Sequence, residues 1–151
     1  MTEKEEVPFV KWFSELNKDS IPIAGGKGAN LSEIYNLKVQ VPPGFVITAQ
    51  AYDYFIKNAN LNERIEKLLS RIDYENTKEL DETTKEIREL IVSASFPSEM
   101  EDEILESYSS LSADDKLQEA SAYNLVRGGV EPVFVAVRSS ATTEDLAEAS
   151  F

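Results

Sequence analysis

The sequence predicts an α+β chain in which a small mixed sheet is interrupted by a largely α-helical insertion. Three observations carry this. From Ala49 to Arg127 there is no glycine and Pro97 is the only proline, and apolar residues recur there at helical spacings. Short β-branched runs bracket that tract, Phe45–Thr48 before it and Val133–Val137 after it. Upstream of both, Gly25-Gly26-Lys27-Gly28 leads into another helical pattern. The order is strand, loop and helix, strand, several helices, strand. It predicts one domain over residues 1–151 with a helical lobe at about 49–127.

Phe9 to Leu16 mixes aromatic and branched residues and reads as a strand or a short amphipathic turn, followed by a polar loop at Asn17–Ser20. Ile21-Pro-Ile-Ala24 approaches the glycines, and a helix is expected from about Ala29 to Leu37. Pro42 and Pro43 force an extended entry and Gly44 a bend, leaving Phe45–Thr48 as a strand whose Thr48 caps the next helix. Ala51, Tyr52, Phe55 and Ile56 share one face of that helix. Leu61, Ile65, Leu68, Leu69 and Ile72 form a second stripe, and Leu80, Ile87, Leu90, Ile91 and Ala94 a third. Pro97 breaks the run, Ser98 and Glu101 fit a capping box, and Met100, Ile104, Leu105, Tyr108 and Leu111 form a further stripe. A last helix is expected over about Ala113–Arg127, ending at Gly128-Gly129. Val133–Val137 then reads as a buried strand that delivers Arg138 to a hydroxyl-rich turn.

Composition bounds the chemistry. The 151 residues contain no cysteine and no histidine. Within this chain that excludes disulfides, thiolate metal sites and thiol catalysis, and any step through a histidine must borrow it from elsewhere. The net charge of −13 is uneven: residues 61–120 hold 17 acids against 7 bases, while the segments on either side are nearly balanced. An acidic middle is a solvated helical surface and argues against nucleic acid as a partner. No apolar run approaches the ~20 residues of a membrane span, and the N-terminus lacks signal-peptide regions. No membrane partner is therefore expected, and a cytoplasmic location is.

Two turns are rich in hydrogen-bond donors and each carries one cation. A glycine-rich loop entering a helix can hold phosphate on the amides of Gly25, Gly26 and Gly28 and at the positive end of the helix dipole, with Lys27 beside them. The loop is neither a Walker A sequence nor G-x-G-x-x-G, because Gly28 and Leu31 stand where those patterns need other residues. The alternative is a tight turn that needs positive φ, with Lys27 merely solvated. Arg138, followed by Ser139, Ser140, Thr142 and Thr143, offers a planar fork of donors for a polyanion. Its alternative is an ordinary strand-to-helix turn with Thr142 as N-cap and Asp145 at N3. Taken together, the two turns favour one polyphosphate gripped from two sides by residues 111 positions apart. Ser139 and Ser140 are weaker candidates, expected to shape the turn.

Three ordered motifs carry a resemblance: Gly25-Gly-Lys-Gly-Ala-Asn-Leu31, Val41-Pro-Pro-Gly-Phe-Val-Ile-Thr48, and Val137-Arg-Ser-Ser-Ala141 with Glu144-Asp-Leu146 and Ala149-Ser-Phe151. They resemble the nucleotide-binding domain shared by phosphoenolpyruvate synthase and pyruvate phosphate dikinase, with rifampin phosphotransferase a third relative. The Val10–Leu16 opening is more similar to the phosphoenolpyruvate synthase branch, and the helical middle looks longer than is typical. The resemblance implies an ATP-grasp fold in which Lys27 and Arg138 contact the phosphates of ATP. It further implies that ATP phosphorylates a histidine on a swivelling domain, and that a barrel domain passes the phosphoryl group to pyruvate, giving phosphoenolpyruvate, AMP and phosphate. The Mg²⁺ ligands, carrier histidine and pyruvate site of such enzymes lie past the equivalent of Phe151. The expectation is therefore an N-terminal portion of such an enzyme, inactive alone, with no catalytic or metal-binding residue of its own and a tendency to self-associate into a homo-oligomer. The rivals are a portion of a dikinase or of another phosphotransferase with a different acceptor, and a stand-alone acidic binding module.

Overall fold

The computed structural model describes residues 8–119 and 134–143. Strand β1 (Val10–Trp12) runs into a single 3₁₀ turn at Phe13–Glu15, so the opening is strand and turn in succession. Helix α1 covers Ile21–Asn36, β2 covers Phe45–Ile47, and four helices follow: α2 (Ala49–Asn58), α3 (Asn62–Leu69), α4 (Thr77–Ser93) and α5 (Ser98–Glu119). The architecture is α+β, as the patterning predicts, with helices filling the tract after Thr48.

The sheet differs from expectation. Among the described residues it has two antiparallel strands, pairing Val10 with Ile47, Lys11 with Val46 and Trp12 with Phe45. Val133 lies outside the described residues, and Phe134–Val137 forms no strand. Phe134 is 100% and Val137 93% exposed, so among the described residues the predicted buried strand has neither a ladder partner nor a covering layer. A β-branched run is compatible with a strand, but only pairing and burial make it one. Phe9–Trp12 instead takes the place beside β2, through the Thr48 N–H to Phe9 carbonyl bond (2.9 Å) and the edge-on Trp12–Phe45 ring contact. The other side of β1 is closed by α5, where the Glu103 carboxylate accepts from the Val10 N–H at 2.9 Å.

Thr48 caps α2 as predicted: its hydroxyl accepts from the Ala51 N–H at 3.1 Å and donates to the Pro8 carbonyl at 3.1 Å. Behind it Ala51, Phe55, Ile56, Leu61 and Met100 form the main core, flanked by Phe9, Ile65, Leu90, Ile91 and Ile104. The stripes are therefore core-facing, although Tyr52, Leu69 and Leu105 fall on the exposed side. The Ser98–Glu101 capping box does not form. Ser98 is already helical, and the Pro97 carbonyl takes the Met100 and Glu101 N–H groups at 3.1 and 3.0 Å. Helix α5 also runs unbroken through Ala113, where a separate helix is expected; residues 120–127 lie outside the described residues. Among the described residues, no helix is long and apolar enough to cross a membrane.

Candidate functional site

Helix α1 begins eight residues earlier than the glycine pattern suggests. Ser20 starts it, with its carbonyl accepting from Ile23 and Ala24 and with Pro22 in the first turn, where a missing N–H costs nothing. The glycines lie inside this helix and break it. Gly25 has φ 68° and ψ 172°, a region open essentially to glycine alone. The helix resumes at Gly26, and its far end is anchored by the Asn36 carboxamide, which donates to the Phe13 and Leu16 carbonyls.

A break in a helix orphans backbone groups, and here four of them find partners outside the helix. In an unbroken helix the Gly28 N–H would reach the Ala24 carbonyl. Instead the Ser140 hydroxyl stands between them, accepting from Gly28 N–H at 3.0 Å and donating to the Ala24 carbonyl at 2.8 Å. The Gly26 N–H donates to the Ala141 carbonyl at 3.0 Å, and the Pro22 carbonyl it would have used accepts from Gln50 Nε2 at 3.2 Å. The kink thus belongs to the class made by a side chain inserted into the helical ladder. Gly25 is needed twice over, since a Cβ there would lie 2.3 Å from Ser140 Oγ and 2.9 Å from the Ala141 backbone. Gly28 is less demanding: its Cβ would meet Ala24 Cβ at 3.1 Å.

The two donor-rich turns are therefore in contact. Gly25, Gly26 and Gly28 meet Ser140 and Ala141 directly, while Lys27 lies between two of these glycines and Arg138 two residues before Ser140. Both cations are exposed at this junction, as is Ser139. The Gly26 and Gly28 amides, expected to face an anion, are engaged by the Ser140-Ala141 turn instead. Thr142 and Thr143 form a bend; Asp145, like Glu144, Leu146 and Ala149–Phe151, lies outside the described residues. Gln50 was not signalled by the sequence, because one amide on an exposed helical turn has no pattern to mark it. The Ser-Ser doublet after Arg138 did carry a signal, read as shaping its own turn when Ser140 also shapes α1.

No group of three or more acidic residues among the described ones could hold a metal ion. A shallow cleft of about 400 Å³ lies between the Trp12–Ser14 turn, Tyr35, Pro43-Gly44 and Ser110, none of which belongs to the glycine junction.

Residues 21–151 match the family described as pyruvate phosphate dikinase, AMP/ATP-binding domain. The chain is 39% identical to a probable phosphoenolpyruvate synthase of Pyrococcus horikoshii, over 99% of the chain and 20% of that protein. It is 40% identical to the phosphoenolpyruvate synthase of Pyrococcus furiosus, over 95% of the chain and 20% of the relative. Against a probable phosphoenolpyruvate synthase of Methanothermobacter thermautotrophicus the identity is 43%, over 96% and 19% respectively. The chain thus spans about one fifth of the length of these relatives.

Proposed function

Because the chain belongs to the pyruvate phosphate dikinase AMP/ATP-binding domain family, we propose that it supplies the phosphate-holding part of an ATP site in a phosphoenolpyruvate synthase. The observation that carries the reading is the contact of Gly25, Gly26 and Gly28 with Ser140-Ala141, which sets Lys27 and Arg138 at one junction. Lys27 neutralises phosphate charge from the helix side, and Arg138 grips phosphate oxygens with two parallel donors. Gly25, Gly26 and Gly28 contribute by letting the turn approach, and Ser139 and Ser140 by shaping it. Phosphoryl transfer needs positioning and charge neutralisation above all, which is what two cations on a fixed backbone provide.

In this proposal the fold is the N-terminal part of an ATP-grasp domain occupying residues 1–151, with its helical lobe at about 49–127. The complete reaction takes ATP, pyruvate and water to phosphoenolpyruvate, AMP and phosphate through a phosphohistidine on another domain. It belongs to gluconeogenic metabolism in the cytoplasm. Mg²⁺ accompanies the ATP, supplying charge neutralisation to its phosphates. The described carboxylates do not fit a metal site, so no role is assigned to them in holding it. The 151 residues alone do not turn over pyruvate, since they hold no histidine to carry the phosphoryl group. In the complete gene product, Lys27→Met and Arg138→Ala each lower ATP-dependent phosphorylation about 10²-fold while the circular dichroism spectrum is kept. Near-normal activity in either variant removes that residue from the site.

A further inference from the structure

We infer that Ser140 is a positioning residue for this site, its hydroxyl being the joint that holds the Arg138 segment to the Lys27 helix. The inference rests on the reading of Lys27 and Arg138 as phosphate contacts, and adds a residue that touches neither phosphate nor metal. A hydroxyl is a small group that donates and accepts at once, and Ser140 does both across the broken Ala24–Gly28 step. The second tie, Gly26 N–H to the Ala141 carbonyl, is backbone to backbone and would survive most side-chain changes. Register between the two segments therefore depends on the serine. Gly25 makes the approach sterically open, because any Cβ there would collide with that same Oγ. Ser139, adjacent and of the same type, has no such place in the break.

Removing the hydroxyl leaves the Ala24 carbonyl and the Gly28 N–H without their protein partner and loosens Arg138 relative to Lys27. Ordering that segment then becomes a cost of binding ATP. The effect falls on affinity, because saturating ATP restores the arrangement. In the complete gene product, Ser140→Ala weakens MgATP binding about tenfold, the order expected when a loosened segment with one long side chain must be ordered on binding. Maximal turnover stays within about threefold, giving a KM-against-kcat split that general destabilisation would not produce. Hydrogen exchange in peptides spanning residues 21–28 becomes faster in the alanine variant, and Ser140→Thr restores both exchange and affinity. Wild-type exchange or affinity in Ser140→Ala, or a threonine variant as impaired as alanine, overturns the inference. Lys27→Met measured alongside separates the two readings. If it leaves MgATP affinity unchanged, the phosphate assignment fails, while exchange at residues 21–28 still judges the joint. If it weakens binding and Ser140→Ala does not, the joint alone fails.

Discussion

At the Gly25 junction the Gly26 and Gly28 N–H groups and the Pro22 and Ala24 carbonyls each have a hydrogen-bond partner, whereas along α3 and α4 no residue is fully buried. The junction joins residues more than 110 positions apart with three hydrogen bonds and leaves no room for a Cβ. The two helices rest on half-buried stripes, with wide-spaced exposed pairs such as Lys78–Glu82 at 3.8 Å and Lys85–Glu89 at 4.0 Å. One region is specified by geometry and the other by hydrophobic period. They should respond to substitution very differently, and the difference falls where a ligand is proposed to sit.

The largest effect is expected at Gly25. Gly25→Ala must hold φ near 68° and place a methyl group on Ser140 Oγ, so it should cost about 3 kcal/mol or release the 138–143 segment from α1. Urea unfolding measures the first and hydrogen exchange over residues 138–143 the second. An alanine variant with wild-type values in both would show that the junction is not geometrically strict. Thr48 lies between the extremes, being a cap with two bonds and 1% exposure. Thr48→Ala should lower the unfolding free energy by about 1–2 kcal/mol, through the lost cap and the unsatisfied Pro8 carbonyl. At the far end, Lys85→Ala should change stability by less than about 0.5 kcal/mol, since both partners are largely in water. A loss above 1 kcal/mol there would mean that the acidic surface is more than solvated.

What was legible in the sequence follows the same division. Helices α2 to α5 were readable because apolar period, the Thr48 cap and the proline break are local signals. Phe45–Ile47 and Phe134–Val137 carry nearly the same signal, yet one is a strand and the other is an exposed coil. Pairing is not a local property: β2 finds Val10–Trp12 across the sheet, and the later run finds no such partner among the described residues. The glycine run marks where the backbone departs from regular geometry, but not the helix that encloses it. A hydroxyl 112 residues away completes the ladder at Gly28, and no window along the chain contains both. The cations, and their convergence on one polyanion, can be named from residue type and position; the Ser140 and Ala141 bonds that join their segments cannot.

In the proposed site Lys27 and Arg138 hold one ligand from two segments. A double-mutant cycle reads this directly, with MgATP titrated by calorimetry into the complete gene product, Lys27→Met, Arg138→Met and the double variant. Each single variant should weaken binding by tenfold or more. The double variant should fall short of the sum by at least about 1 kcal/mol, because two cations on one polyphosphate share their effect. Single variants that bind like wild type, or losses that add within about 0.5 kcal/mol, would contradict a shared site.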